Sequence, residues 1–234
     1  MLAPFYQSIE QTLTQDQPLA TQLQTLRDLL KKALTSDDFR LACIQQILST
    51  LHSHTHSSPW NAPPIFYHEH LRFSVRIIFW PAFYDNNPHQ HKTWSITGVL
   101  HNQLDIYTYT LLNNPNRLKK QRNINAVTGE VGYLLPGCIH HVGNPSHELS
   151  ASIHIFNNLA DIENSEENAI WYPAPRKHNL TKGLIARALT VCLAIAAGVK
   201  SETSLAIMRQ IYDNATVPMK WQAIQAMCAV GQLD

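Results

Sequence analysis

Apolar positions in this chain first recur at helical spacing, then alternate, then return to helical spacing. In the first third, Leu19, Leu23, Leu26, Leu29 and Leu30 fall on one helical face. Ser36 or Asp37 can cap a further helix that runs through Leu41, Ile44, Ile47 and Leu48, so residues 5–52 read as helical. From residue 65 the period shortens. Residues 73–80, FSVRIIFW, are β-branched and aromatic and predict a strand. Residues 95–100, 104–111, 131–135 and 149–156 predict further strands, separated by turn-forming clusters at 84–88, 113–116 and 136–137. Many short strands with regular turns make a sandwich or barrel. After a polar, proline-punctuated stretch at 162–177, helical spacing returns. Helices are predicted over 182–198, from Ser201 to Tyr212, and from Pro218 to Gly231. Leu184, Ala188, Val191 and Ile195 form one apolar stripe, and Ala206, Ile207 and Ile211 another. The expected division is an N-terminal helical region (1–58), a β barrel (65–160) and a C-terminal helical extension (178–234).

Composition narrows the function classes. The 234 residues are 44% hydrophobic and 15% charged, too apolar for a disordered chain. A net charge of +1 gives no bulk attraction to nucleic acid or anionic membrane, so neither is expected as a partner. The longest apolar run, 188–199, is too short to span a bilayer, and no basic-then-apolar leader opens the chain. Cys43, Cys138, Cys192 and Cys228 are scattered without a CxxC pair, as expected for reduced thiols in a cytoplasmic protein.

The thirteen histidines are the compositional oddity. His89 and His91 lie at i and i+2, on one face of a strand. Some fifty residues later the Pro136-Gly137 turn leads into His140-His141, of which only one can share that direction. Three neutral imidazoles converging from separate strands make an oxygen-reactive metal site with coordination positions left open. His52, His54 and His56 read as a solvated loop before the 61–64 linker. His68 and His70 form a second HxH without a Pro-Gly partner and read as non-ligands, and His101 and His147 read as turn residues.

Two ordered segments carry a family resemblance. Arg72-Phe73-Ser74-Val75 through Phe79-Trp80, then His89-x-His91, Trp94 and Gly98-Val99-Leu100, form the first. Pro136-Gly137-x-Ile139-His140-x-Val142-x-Asn144, with Ser152-Ile153-His154-Ile155-Phe156, forms the second. Together they resemble the thiol dioxygenases of the cupin superfamily, the cysteine dioxygenase and 3-mercaptopropionate dioxygenase relatives, over residues 65–157. The resemblance implies a mainly β cupin barrel with N-terminal helices. The C-terminal helical extension has no obvious counterpart and is read as a packing or dimerisation module.

The resemblance further implies that His89, His91 and His140 hold Fe(II), with His141 turned away. No glutamate occurs in 92–97, so the three-histidine version of the site is implied. Ser152, His154 and Phe156 occupy the positions of a Ser-His-Tyr relay, in which Phe156 has neither donor nor acceptor. Tyr67-His68-Glu69 stands where the cysteine dioxygenases carry Tyr-x-Arg, and residues 157–168 lack the arginine of the mercaptopropionate enzymes. Arg76 shares strand parity with Ser74, Ile78 and Trp80 and is the remaining candidate for a carboxylate clamp. It could equally be neutralised by Glu69. The expected substrate-binding set is therefore Arg76, Trp80, Glu69 and Phe156, with Ser152 and His154 as catalytic support. The implied activity is oxidation of a small thiol to a sulfinate by O2. The alternatives are a cupin metalloenzyme acting on a non-thiol substrate and a non-catalytic metal- or small-molecule-binding sensor.

Overall fold

The computed structural model describes residues 2–51, 64–112, 117–157, 169–172 and 183–230. The chain begins with α1 (Leu2–Thr14), α2 (Leu19–Leu34) and α3 (Asp37–Leu51). Pro18, locked at φ −54°, starts α2, and Asp37 and Asp38 place negative charge at the start of α3. Ten strands follow: β1 (Phe66–His68), β2 (Phe73–Trp80), β3 (His89–His91), β4 (Ser95–His101), β5 (Gln103–Leu111), β6 (Leu118–Val127), β7 (Val131–Leu134), β8 (Ile139–Gly143), β9 (Ser150–Asn157) and β10 (Ala169–Trp171). Helices α4 (Leu184–Val199), α5 (Glu202–Asn214) and α6 (Val217–Ala229) complete the described chain.

The strands form two antiparallel five-stranded sheets, ordered β1-β2-β9-β4-β7 and β10-β3-β8-β5-β6. This is the mainly β architecture expected, with helices on its flank. In the first sheet, one side chain in two points to each face. Phe73, Val75, Ile77, Phe79, Ile96, Leu100, Ala151, Ile153 and Ile155 are all buried and belong to the same core as the buried leucines of α2 and the apolar stripes of α3 and α4. Helix α2 lies so close that a Cβ on Gly98 would meet Leu34 Cδ1 at 2.6 Å, so a side chain there would force the Leu34 side chain to move. A smaller cluster of Trp80, Val99, Leu104, Ala126 and Val142 fills one end of the space between the sheets. In α5, Ile207 and Ile211 are buried as expected, joined by Leu205 and Met208, while Ala206 is exposed.

Several expectations need amendment. Strand β6 was not foreseen, because LKKQRNINAV is polar on the face it turns to solvent and all but Leu118 and Ala126 are exposed. Strand β10 was not foreseen inside its polar stretch. His101 is the last residue of β4 rather than a turn residue. The expected loop at His52, His54 and His56, the turn at 113–116, most of the 61–64 linker and most of the polar 162–177 stretch lie outside the described residues. Among the described residues, no helix is long and apolar enough to cross a membrane. All four cysteines are free, and burial raises the thiols of Cys43 and Cys192 far above their ordinary range.

Candidate metal centre

Strand pairing assembles the histidines. β3 pairs with β8 at His89↔His140, which sets these two imidazoles side by side on the cavity face, with ring centroids 4.3 Å apart. His91, two residues on, shares that face; its ring lies 5.0 Å from His89 and 5.1 Å from His140. The turn before β8 is fastened to β3 by the Gly137 N–H, which donates to the His91 carbonyl at 3.0 Å. Gly137 has φ +80°, a left-handed conformation that glycine takes without strain. His141 turns to the opposite face, where its ring bonds to Asp85 and, at 3.2 Å, to the Tyr109 hydroxyl. His68 stacks on Phe73 on the helix side, and His70 is exposed; neither joins the cluster.

Among the described residues, His89, His91 and His140 are the one group whose potential ligand atoms converge, all within 4.8 Å of one another. No described carboxylate joins them. His89 Nδ1 donates to the Asn87 carbonyl at 3.0 Å, and His140 Nδ1 donates to the Cys138 carbonyl at 3.1 Å. Each bond fixes the tautomer and leaves Nε2 as the free lone pair, the usual outer support of a metal-bound imidazole. Burial pushes His89 down to about 4 and His91 to about 3, and holds His140 well below the ordinary 6.5. All three are therefore neutral and ready to coordinate at neutral pH. The residues fit a divalent transition metal held by nitrogen.

Facing the cluster across the cavity is one crosswise row of the first sheet: Arg76, His154 and Thr97, paired in register. His154 is bonded at both nitrogens, Nε2 to Ser152 Oγ at 2.7 Å and Nδ1 to Thr97 Oγ1 at 2.9 Å. Trp80 Nε1–H donates to Ser152 Oγ at 2.7 Å. Ser152 is fully buried, so its own proton is satisfied by donation to His154 Nε2, and His154 Nδ1–H then donates to Thr97. Burial lowers His154 to about 3, so it is a neutral part of this chain. Phe156 stacks parallel on His154 at 5.1 Å and meets His91 edge-on at 5.9 Å.

Of the expected substrate contacts, Arg76, Trp80 and Phe156 line the cavity. Glu69 does not: it is exposed in the turn between β1 and β2, where a charged side chain stays hydrated. Of the two alternatives for Arg76, neutralisation by Glu69 is the one this placement contradicts. Arg76 is 5% exposed, and its recorded side-chain bond is Nε to Ser74 Oγ at 3.3 Å. It forms no ion pair with any described residue, and burial lowers its pKa. Thr97, which ends the His154 chain, and Trp171, which stacks on His89 at 4.4 Å, were missed in the sequence. The parity of Thr97 with Ser95 could have found the first. Trp171 sits on a three-residue strand with no periodic signal.

No protein-family model matches the sequence, and no curated protein matches it. Solved structures similar to parts of the chain include oxalate oxidase in complex with the substrate analogue glycolate (20% identity over 56% of this chain and 66% of that one, TM-score 0.35). They also include hydroquinone 1,2-dioxygenase from Sphingomonas sp. TTNP3 (10% identity over 44% and 68%, TM-score 0.36) and a cupin superfamily protein from Desulfitobacterium hafniense (11% identity over 38% and 71%, TM-score 0.30). The chain spans under half the length of the DMSP lyases it matches, 43% and 45%. At these identities and TM-scores the likenesses carry no argument, and both the fold and the site rest on their own geometry. The chain combines a mainly β fold of two antiparallel sheets with a buried three-histidine cluster suited to a metal ion.

Proposed function

We propose that the chain is an iron-dependent, three-histidine dioxygenase that oxidises a thiol carrying an anionic group to its sulfinate. The observation that carries this reading is the cluster of three neutral imidazoles, joined by no described carboxylate, facing a buried arginine that forms no ion pair with any described residue. Held by His89, His91 and His140, Fe(II) supplies dioxygen activation and favours the thiolate form of a substrate sulfur. The protein supplies the rest. Arg76 offers parallel N–H donors to a carboxylate, and burial makes each of those bonds stronger than in water. Trp80, Ser152 and Thr97 hold His154 in one orientation, with the Thr97 hydroxyl at the cavity wall. Phe156 covers the His154 ring and keeps water from it, and has no proton to give. The overall change is RSH + O2 → RSO2H, with both oxygen atoms ending on sulfur and no external reductant consumed.

A second reading, a metal-dependent cupin enzyme acting on a sulfur-free acid, is favoured by one observation: Phe156 places no hydroxyl beside His91 and His154. Anaerobic reconstitution with Fe(II), followed by oxygen uptake with a panel of thiol acids and their hydroxyl counterparts, separates the two. Uptake matched mole for mole by sulfinate supports the thiol reading. Uptake with the hydroxy acids alone supports the second, and tight binding without uptake leaves a non-catalytic sensor.

A further inference from the structure

The cavity between the sheets has a volume of about 430 Å3. At ~30 Å3 per water, that is room for roughly 14 water-sized groups, and it falls in the ~300–1,000 Å3 range of pockets for drug-sized ligands. A thiol acid of about six non-hydrogen atoms would displace fewer than half of these waters. The surplus is mostly apolar. Beyond the polar row of Arg76, His154 and Thr97, the wall carries Ile106, Ile124, Val99 and Leu134, with Thr108, Asn125 and the exposed Glu130 among them. The two ends of the cavity thus differ: a buried cation that forms no ion pair with any described residue on one side, mainly aliphatic side chains on the other.

One glycine gives this apolar side an outlet. Gly132 pairs with Thr97, so it points into the cavity as Thr97 does, yet a Cβ built there meets nothing within 4 Å. Its φ is not positive, so no backbone requirement demands glycine. Gly132 is exposed, as is Ile124 at 46%, and both line the cavity. β7 and β6, which carry them, are edge strands of opposite sheets. The cavity therefore reaches the surface between these two edges, through a gap that an ordinary side chain at 132 would narrow.

From this geometry we infer that the site takes an elongated amphipathic acid, its anionic group on Arg76 and an apolar body of about eight to ten non-hydrogen atoms lying along Ile106, Ile124 and Leu134 toward Gly132. This rests on the proposed anion-binding role of Arg76 and replaces the expected small thiol with a larger one. The apolar wall contributes affinity through each methylene it removes from water, and Gly132 sets how long the body can be.

The test is binding of straight-chain carboxylates, butanoate to octanoate, to the metal-free protein by calorimetry, with 1-octanol as the neutral comparison. Affinity should rise about three- to fourfold per added methylene, and octanol should bind at least tenfold more weakly than octanoate. In Gly132→Phe the advantage of octanoate over butanoate should shrink to under twofold, with butanoate affinity and Co(II) stoichiometry unchanged. A flat wild-type series, or octanol equal to octanoate, overturns the inference. So does a Gly132→Phe variant that binds one Co(II) and keeps the full chain-length advantage. The readout needs no oxygen chemistry: a steep series in a protein that oxidises no thiol upholds the binding mode and rejects the proposed reaction, and a flat series in an active thiol dioxygenase does the reverse.

Discussion

The two faces of the first sheet are made by the same strands and do opposite work. On the face toward the helices, β2, β4 and β9 present Phe73, Val75, Ile77, Phe79, Ile96, Leu100, Ile153 and Ile155, and every one is buried. On the face toward the second sheet they present Ser74, Arg76, Ser95, Thr97, Ser152 and His154. Most of these are buried too, yet Arg76 bonds to Ser74, and Ser152 and Thr97 both bond to His154. The main hydrophobic core of this protein thus lies outside the barrel, between sheet and helices. The inside of the barrel is freed from holding the fold together and can carry polar, metal-binding and cationic groups that cost stability.

The sharpest break of this contrast comes from paired substitutions. His140→Ala should take metal binding from one ion per chain to none, read by metal analysis after anaerobic loading. His141→Ala, on the opposite side of β8, should leave it intact. Ile153→Ala, next to His154 but on the helix side, should lower unfolding free energy by ~2–5 kcal/mol in urea while the protein still loads one metal. Loss of metal in Ile153→Ala at a temperature where the variant is folded would mean the two faces are coupled.

Acidification probes the polar face alone. His154 is held near 3 when folded, against an ordinary 6.5. Between those values the unfolded chain binds the extra proton, so stability falls as pH falls through this window and is flat above it. Each such buried imidazole contributes up to ~1.4 kcal/mol per pH unit. Urea midpoints of the metal-free protein from pH 7 to pH 5 measure the slope, and His154→Gln should make it shallower.

The smallest effect expected has the opposite sign. Arg76 is a buried charge with no acidic partner among the described residues, so Arg76→Met should raise the stability of the metal-free protein by ~0.5–2 kcal/mol while weakening acid binding. A fall in stability would indicate that the guanidinium has a structural role instead.

Strand alternation made much of this legible beforehand. It placed β2, β4, β5, β7 and β9, and it put Arg76, Trp80 and the Ser152-His154-Phe156 series on one face. It separated His140 from His141 because neighbours on a strand diverge. Alternation gives parity, however, and not position in space. It could not say that Glu69 stops in a hydrated turn short of the barrel. It could not find β6, whose charged residues hide its period, nor Trp171 on its short edge strand. The use of Thr97 to hold His154 depends on a cross-strand register that no single segment contains.

The account is tested most directly by supplying isotopically labelled dioxygen to the Fe(II)-loaded protein with a mercaptooctanoate and with mercaptopropionate. The predicted result is a sulfinate carrying two labelled oxygen atoms, formed faster from the longer acid, and absent in His140→Ala. A protein that holds one iron, binds the acid and yet transfers no labelled oxygen to sulfur would contradict it.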